Sequence, residues 1–196
     1  MPQKARLIKE ADAADTKKQI LDAALNLFTV QGFDATPTSQ ISKEANVSTG
    51  TTFYYFPSKN AILEQLYLSI KKELGISVKQ KDNTALPTKE RLLTCIKNYV
   101  EWASENPKKS LFLDQFYHSA NISQKVKQEA LDEFDWIKDI VETALQEGVL
   151  KDFPLRFHLV MIGSIINGLV VLSKSAKSES AKEQLIKAGL GLLLKD

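Results

Sequence analysis

The chain concentrates its most informative chemistry between Thr36 and Lys59, in the stretch TPTSQISKEANVSTGTTFYYFPSK. Small hydroxyls and aromatic rings dominate it, and long aliphatic side chains are few. Hydroxyl and phenol groups donate to phosphate oxygens and base edges, and a ring packs on a thymine methyl. On one helix face, Thr49, Gly50, Thr51, Phe53, Tyr54 and Tyr55 therefore form a set suited to duplex DNA. The local pattern supplies that helix and a partner for it. Thr36 is an N-cap type and Pro37 suits a first helical position, so a helix starts there and buries Ile41 and Ala45. Asn46 tolerates the left-handed backbone of a turn, Val47 fills the gap between helices, and Ser48 caps the next one. The spacing predicts a helix-turn-helix, a DNA-binding element.

The flanks narrow this reading. KKQILDAALNLFTVQGF runs from Lys17 to Phe33 before the motif, and PSKNAIL from Pro57 to Leu63 after it. An amphipathic helix ending in Gly-Phe, a helix-turn-helix, an aromatic run and a Ser-Lys helix start, in this order over residues 16–67, resemble the TetR family of bacterial transcriptional regulators. The resemblance implies that Ser39, Thr49, Gly50, Phe53 and Tyr54 approach base edges, and that Thr38, Thr51, Tyr55 and Lys59 hold phosphates. Ser48 heads the reading helix. Gly50 is small enough for close approach, and Phe53 either packs on a thymine methyl or turns inward. Four positions depart from the family's pattern. Asn46 stands where Gly is common, Ser42 for Ala, Thr52 for a buried Leu, and Tyr55 for a His that often touches phosphate. These changes bear on the operator sequence rather than on DNA binding itself.

Composition sets the frame. The chain has 196 residues, 43% of them hydrophobic, enough for a buried core, and a single cysteine, Cys95, which excludes an intrachain disulfide. Leu92, Leu93 and Ile96 beside Cys95 predict a buried structural thiol. A net charge of +2 is no polycation, so non-specific DNA binding should be weak and phosphate contacts must come from hydroxyls, backbone amides and local lysines such as Lys43 and Lys59. Residues 1–15 contain no apolar leader core, which predicts a cytoplasmic protein. The run from Leu159 to Leu172 falls short of the roughly 20 residues of a spanning helix and carries Ser164 and Asn167. It reads as core or dimer interface, with no membrane partner.

The positioning elements follow from periodicity. An all-α fold of about nine helices is expected: a flexible tail over 1–15, a DNA-binding domain over 16–60, and a helical ligand-binding and dimerisation domain over 61–196. A helix starting near Ser58 links the two domains. Lys4, Arg6 and Lys9 in the tail offer the alternative of an arm reaching into the minor groove. The first helix runs from Thr16 to Val30, and the linking helix from Ser58 to Leu74 with Gly75 as its stop. Residues 79–87 form a loop. Further helices are expected over 89–105, 108–119, 123–147 as one long helix, 154–173 and 181–194. The last two are apolar enough to need a partner, and the resemblance implies a homodimer joined through them.

Catalysis finds no support in the chain. His118 and His158 lack metal-ligand spacing, no Gly-rich phosphate loop or nucleophile elbow is present, and Asp132, Glu133 and Asp135 spread around a solvated helix face. No catalytic residue, metal or cofactor is expected. Aromatics crowd the middle helices instead, and the resemblance implies a ligand cavity there. Tyr99, Trp102, Phe112, Gln115, Phe116 and Phe134 are the candidate lining for a hydrophobic small-molecule effector. The function these readings imply is a repressor of double-stranded DNA operators with palindromic symmetry, released by that effector. A helical small-molecule sensor or carrier without DNA binding is the alternative.

Overall fold

A computed structural model describes residues 2–176 and 178–195, with side chains from Asp12 onward. Ten helices and no strand occur among the described residues. The chain divides into two compact units, Met1–Ile70 with Leu111–Lys127, and Lys71–Ser110 with Gln128–Asp196. The boundary expected near residue 60 therefore lies elsewhere. The first unit keeps ten more residues of the linking helix and takes back a segment from the middle of the chain.

Non-local contacts explain this. Within the first unit Asn60 donates its amide to the Asn121 carbonyl at 3.2 Å, and Glu64 accepts from the Ser123 backbone N–H at 2.9 Å. Ile122 and Val126 bury their side chains. Helix α1 (Pro2–Gln31) contributes Ile20, Ala23, Ala24 and Phe28 to this core. Gly32 closes α1 at φ +84°, where a side chain would be strained, and bonds to the Phe28 carbonyl at 3.1 Å. The tail expected to be flexible over 1–15 is helical from Pro2. Proline suits the first helical position, and the Ala, Lys, Arg, Leu, Glu and Gln that follow are strong helix formers with no glycine among them, so propensity carries the helix without an apolar face. Met1 and the side chains of Lys4, Arg6 and Lys9, weighed above as an arm, lie outside the described residues.

Short helices α2 (Thr38–Glu44) and α3 (Thr49–Tyr55) follow, then α4 (Lys59–Gln80). The Ser58 hydroxyl accepts from the Ala61 N–H at 3.1 Å and so caps α4. Gly75 does not stop this helix. A Cβ there would lie 3.2 Å from the Glu133 carbonyl oxygen, so the glycine serves close approach between two segments of the second unit.

The second unit is a helical bundle. Bidentate Arg91–Asp82 bonds of 3.1 and 2.7 Å tie the loop after α4 to α5 (Thr88–Glu105). Along the chain follow α6 (Pro107–Phe116) and α7 (Gln124–Asp132), each divided between the two units, and then α8 (Asp135–Gln146), α9 (Leu155–Ser173) and α10 (Glu179–Gly191), which belong to the second. The helix expected over 123–147 is broken at Glu133 and Phe134. Neither residue is a helix breaker, and the break coincides with the packing of Gly75 on Glu133. Leu92, Ile96 and Val100 of α5 build the core with Ile140 and Val141 of α8, Ile162 and Ile166 of α9, and Ile186 and Leu190 of α10. Burial pushes the Cys95 thiol up to about 12, which makes it an inert structural thiol. An isolated antiparallel bridge between Leu150 and Leu194 fastens the chain end, and His158, fully buried, pairs its Nε2 with the Lys151 carbonyl at 2.9 Å.

Candidate nucleic-acid interface

The turn between α2 and α3 is set by backbone hydrogen bonding. Asn46 N–H bonds to Lys43 O at 3.1 Å and Val47 N–H to Ser42 O at 3.0 Å, the pair of reverse bonds that defines a Schellman ending. Asn46 sits at φ +54°, in the left-handed region. A β-branched residue resists that conformation. Asn46→Val is expected to cost about 1–2 kcal/mol and Asn46→Gly to cost nothing, so thermal melts of the two variants should separate by several degrees.

Ser48 then caps α3 as its type predicts, accepting from Thr51 N–H at 3.0 Å, and its hydroxyl also pairs with the Thr51 hydroxyl at 2.8 Å. Thr36 does not cap α2. Pro37 takes the cap position without a side-chain bond, while Thr36 is buried and donates to the Gly32 carbonyl at 2.7 Å. Gln31 gathers the neighbouring groups, its amide donating to Ala35 O and Thr36 Oγ1 at 3.1 Å and to Gln40 Oε1 at 2.9 Å.

Ser42 and Thr52 face each other in the buried gap between α2 and α3, hydroxyl to hydroxyl at 2.8 Å. Ser42 already donates to the Thr38 carbonyl at 3.0 Å, so the proton in the pair comes from Thr52. Ser42→Ala leaves Thr52 only the Ser48 carbonyl at 3.5 Å and should cost about 1–2 kcal/mol. Thr52→Val leaves Ser42 satisfied and should cost less, while the double change should be milder than the sum of the two. Chemical denaturation of the three variants reads this coupling. Additive losses would show that the pair contributes nothing as a pair.

The rest of α3 turns outward. Thr49 and Gly50 are exposed, Phe53 is 47% exposed and Tyr54 82%, whereas Thr52 and Phe56 are buried. Phe53 thus takes the outward of its two alternatives. A Cβ on Gly50 would meet only Ser48 Oγ at an ordinary 3.7 Å, so the fold itself does not demand a glycine there. On α2, Ser39 is exposed and Thr38 half-buried. Tyr55 is half-buried, edge-on to Tyr54 at 5.1 Å, with the Lys17 ammonium 5.7 Å from its ring centroid. Lys17 is the residue that sequence reasoning missed, since no local pattern connects α1 to the far end of α3. Lys59 is partly committed to the fold: its ammonium donates to the Phe33 carbonyl at 2.8 Å and lies 4.3 Å from the Phe33 ring. An exposed, hydroxyl-rich and aromatic surface on a two-helix unit, with lysines at its margin, can donate to phosphates and lay rings against bases.

The six candidate effector residues are divided between the units. Phe112 and Phe116 stack at 4.7 Å in the core of the first, with Phe116 6.2 Å from Phe28, and Gln115 is exposed beside Thr29. Tyr99, half-buried, and Trp102, buried, lie on α5 of the second unit, where Phe134 is half-buried. An open hollow of about 320 Å³ between α5 and α10 is lined by none of them; Lys97, Glu101, Glu179 and Lys182 edge it instead. No group of three or more His, Cys, Asp and Glu able to hold a metal occurs among the described residues.

Known proteins share this arrangement. Residues 20–66 match the family model of bacterial regulatory proteins, tetR family. The uncharacterized HTH-type transcriptional regulator YvkB of Bacillus subtilis (strain 168) is 28% identical over 161 residues, covering 80% of this chain and 82% of that protein. The biofilm operon icaADBC HTH-type negative transcriptional regulator IcaR of Staphylococcus aureus (strain Newman) is 39% identical over 49 residues, 25% of this chain and 26% of its own. A TetR family transcription regulator from Marinobacter aquaeolei VT8 has the same fold at a TM-score of 0.85 and 18% identity, over 96% of this chain and 100% of that one. Residues 20–66 thus carry the helix-turn-helix of the tetR family of bacterial regulatory proteins, and the chain shares its fold with TetR family regulators.

Proposed function

We propose that the protein is a homodimeric cytoplasmic repressor that lays α3 of each subunit into successive major grooves of a near-palindromic operator and is released by a small-molecule effector. The observation that carries the DNA reading is the outer face of α3. Phe53 and Tyr54 stay largely in water while their neighbours Thr52 and Phe56 are buried, an arrangement that gains the fold nothing and suits a ligand. Thr49, Gly50, Phe53, Tyr54 and Ser39 read bases, and Thr38, Thr51, Tyr55, Lys43 and Lys17 hold phosphates, Lys59 with what its bond to Phe33 leaves free. Two such helices related by two-fold symmetry meet half-sites about 34–36 Å apart. Repression is supported by the likeness over 49 residues to IcaR, a protein named as a negative regulator.

Effector release follows from linkage. A ligand that prefers the DNA-free arrangement weakens DNA binding by the factor by which DNA weakens its own binding. Fluorescence anisotropy against duplex from the protein's own upstream region, beside a scrambled duplex at matched salt, tests the core of this reading. Tight binding to the first alone is expected. Equal weak binding to both, and to every duplex recovered from a random-sequence selection, would leave a sensor without DNA function.

A further inference from the structure

Helix α2 enters the interface without a cap of its own. Pro37 stands at the cap position and makes no side-chain bond, and the Thr36 hydroxyl, the cap expected from residue type, is spent on the Gly32 carbonyl at 2.7 Å. The later part of the helix is anchored from within: Ile41, Ser42 and Ala45 are buried, and the Ser42 hydroxyl pairs with that of Thr52 on α3 at 2.8 Å. The first turn has no such anchor among its own residues. It carries Thr38, half-buried, and Ser39, exposed, two of the residues assigned to DNA.

Gln31, the last residue of α1, reaches this turn from outside. Its side-chain amide donates to Gln40 Oε1 at 2.9 Å, and Gln40 returns its own amide to Gln31 Oε1 at 3.4 Å. The same Gln31 nitrogen lies 3.1 Å from the Ala35 carbonyl and from Thr36 Oγ1, whose proton already goes to Gly32 and whose lone pairs are therefore free to accept. One side chain thus joins the end of α1, the connecting loop and the start of α2. Gln31 is exposed and Gln40 half-buried, and bonds made in contact with water replace bonds to water, so this clasp adds little to stability. What it fixes is direction. A reciprocal amide pair tolerates little change in distance or angle, and Gln40 is the immediate neighbour of Ser39. A swing of about 1 Å in this turn is enough to take both hydroxyls out of hydrogen-bonding range of a duplex.

We propose that Gln31 is a positioning residue for operator binding: acting through Gln40, it holds the first turn of α2 so that Thr38 meets a phosphate and Ser39 a base edge. This rests on the DNA reading of the interface, and Gln31 itself needs no contact with the duplex.

Gln31→Met keeps the side chain's length and neutrality and removes every bond of the clasp. Against a duplex recovered by random-sequence selection with the parent, anisotropy should show affinity lower by about 3- to 10-fold. The thermal midpoint should fall by no more than about 2 °C, and the slope of log affinity against log salt should hold, because no cation leaves a phosphate. Gln40→Met should lose a similar factor and the double variant little more, since the same pair is broken in each. A cycle with Ser39→Ala supplies the readout that a loss of structure would not move. Ser39→Ala should weaken the parent by about 3-fold or more and Gln31→Met hardly at all, its hydroxyl being already out of place, whereas Tyr54→Ala on α3 should weaken both alike. Gln31→Met binding as tightly as the parent, adding in full to Ser39→Ala, or coupling as strongly to Tyr54→Ala would overturn the role. A larger fall in midpoint would make Gln31 a residue of the fold and overturn it as well. A parent that selects no duplex fails the DNA reading and takes this role with it; a parent that discriminates beside an equally discriminating Gln31→Met fails the role alone.

Discussion

Tyr54→Ala is expected to weaken binding to the operator by about 10- to 100-fold, 1.4–2.7 kcal/mol, while leaving thermal unfolding unchanged. The separation of these two effects comes from its burial. At 82% exposure the ring contributes almost no apolar area to the core, and the ring it meets edge-on at 5.1 Å, Tyr55, is itself only half-buried. Phe56 two positions on is the opposite case, 5% exposed, and its truncation should cost about 3–5 kcal/mol of stability by the usual cost of emptying a buried aromatic site. A second comparison separates reading from charge. Lys43→Ala should weaken every duplex alike and reduce the slope of log affinity against log salt by about 0.9, the share of one phosphate contact. Tyr54→Ala should leave the slope nearly unchanged and narrow the gap between operator and scrambled duplex. Should Tyr54→Ala bind both duplexes as the parent does, α3 is not the reading helix and the assignment of its outer face fails.

What the sequence disclosed and what it withheld divide along the range of the interactions involved. Ser48, Asn46 and Ser58 act on backbone groups within a few residues, so their roles at the helix ends were legible from residue type alone, and each acts there as a cap or a left-handed turn. Thr36 failed the same reasoning because the competing Gly32 carbonyl, four residues back, claims its hydroxyl. Gly75 reads as a stop in isolation and proves to be a point of close approach, since its meaning lies in Glu133, 58 positions away in the chain. The break between α7 and α8 has no glycine or proline to announce it. Ser42 and Thr52 looked like two unrelated departures from a family pattern, and three-dimensional structure joins them in one buried hydrogen bond. At the interface, the exposed face of α3 followed from helical spacing. The commitment of Lys59 to Phe33 and the placing of Lys17 beside Tyr55 did not, because both join residues more than twenty positions apart in the chain.

Leu172→Glu is expected to turn a dimer into a monomer and to lower affinity for a palindromic duplex by at least about 100-fold. The buried stripe of α9 is His158, Ile162, Ile166, Leu169 and Ser173, at helical spacing. Its other face keeps Val160 at 60%, Val171 at 65% and Leu172 at 50% exposure, and Leu192 just beyond α10 is at 64%. Alone among the described helices, α9 is long and apolar enough to cross a membrane, yet Arg156 and Asn167 lie on it and it packs against α5, α8 and α10. Gly163 and Gly168 have no atom within 4 Å of where a Cβ would stand, so nothing in the subunit's own packing requires them to be small, and a second backbone approaching closely would. A glutamate on this face would be buried without a partner on association, a cost of several kcal/mol for each of two symmetric copies. A monomer then holds one half-site and loses the second, whose effective concentration on the same duplex lies near the millimolar range. Sedimentation velocity gives the mass and anisotropy gives the affinity on the same samples. A variant that stays dimeric would remove this face as the interface. A variant that turns monomeric and binds the palindrome as tightly as the parent would remove the two-fold operator while leaving the interface in place.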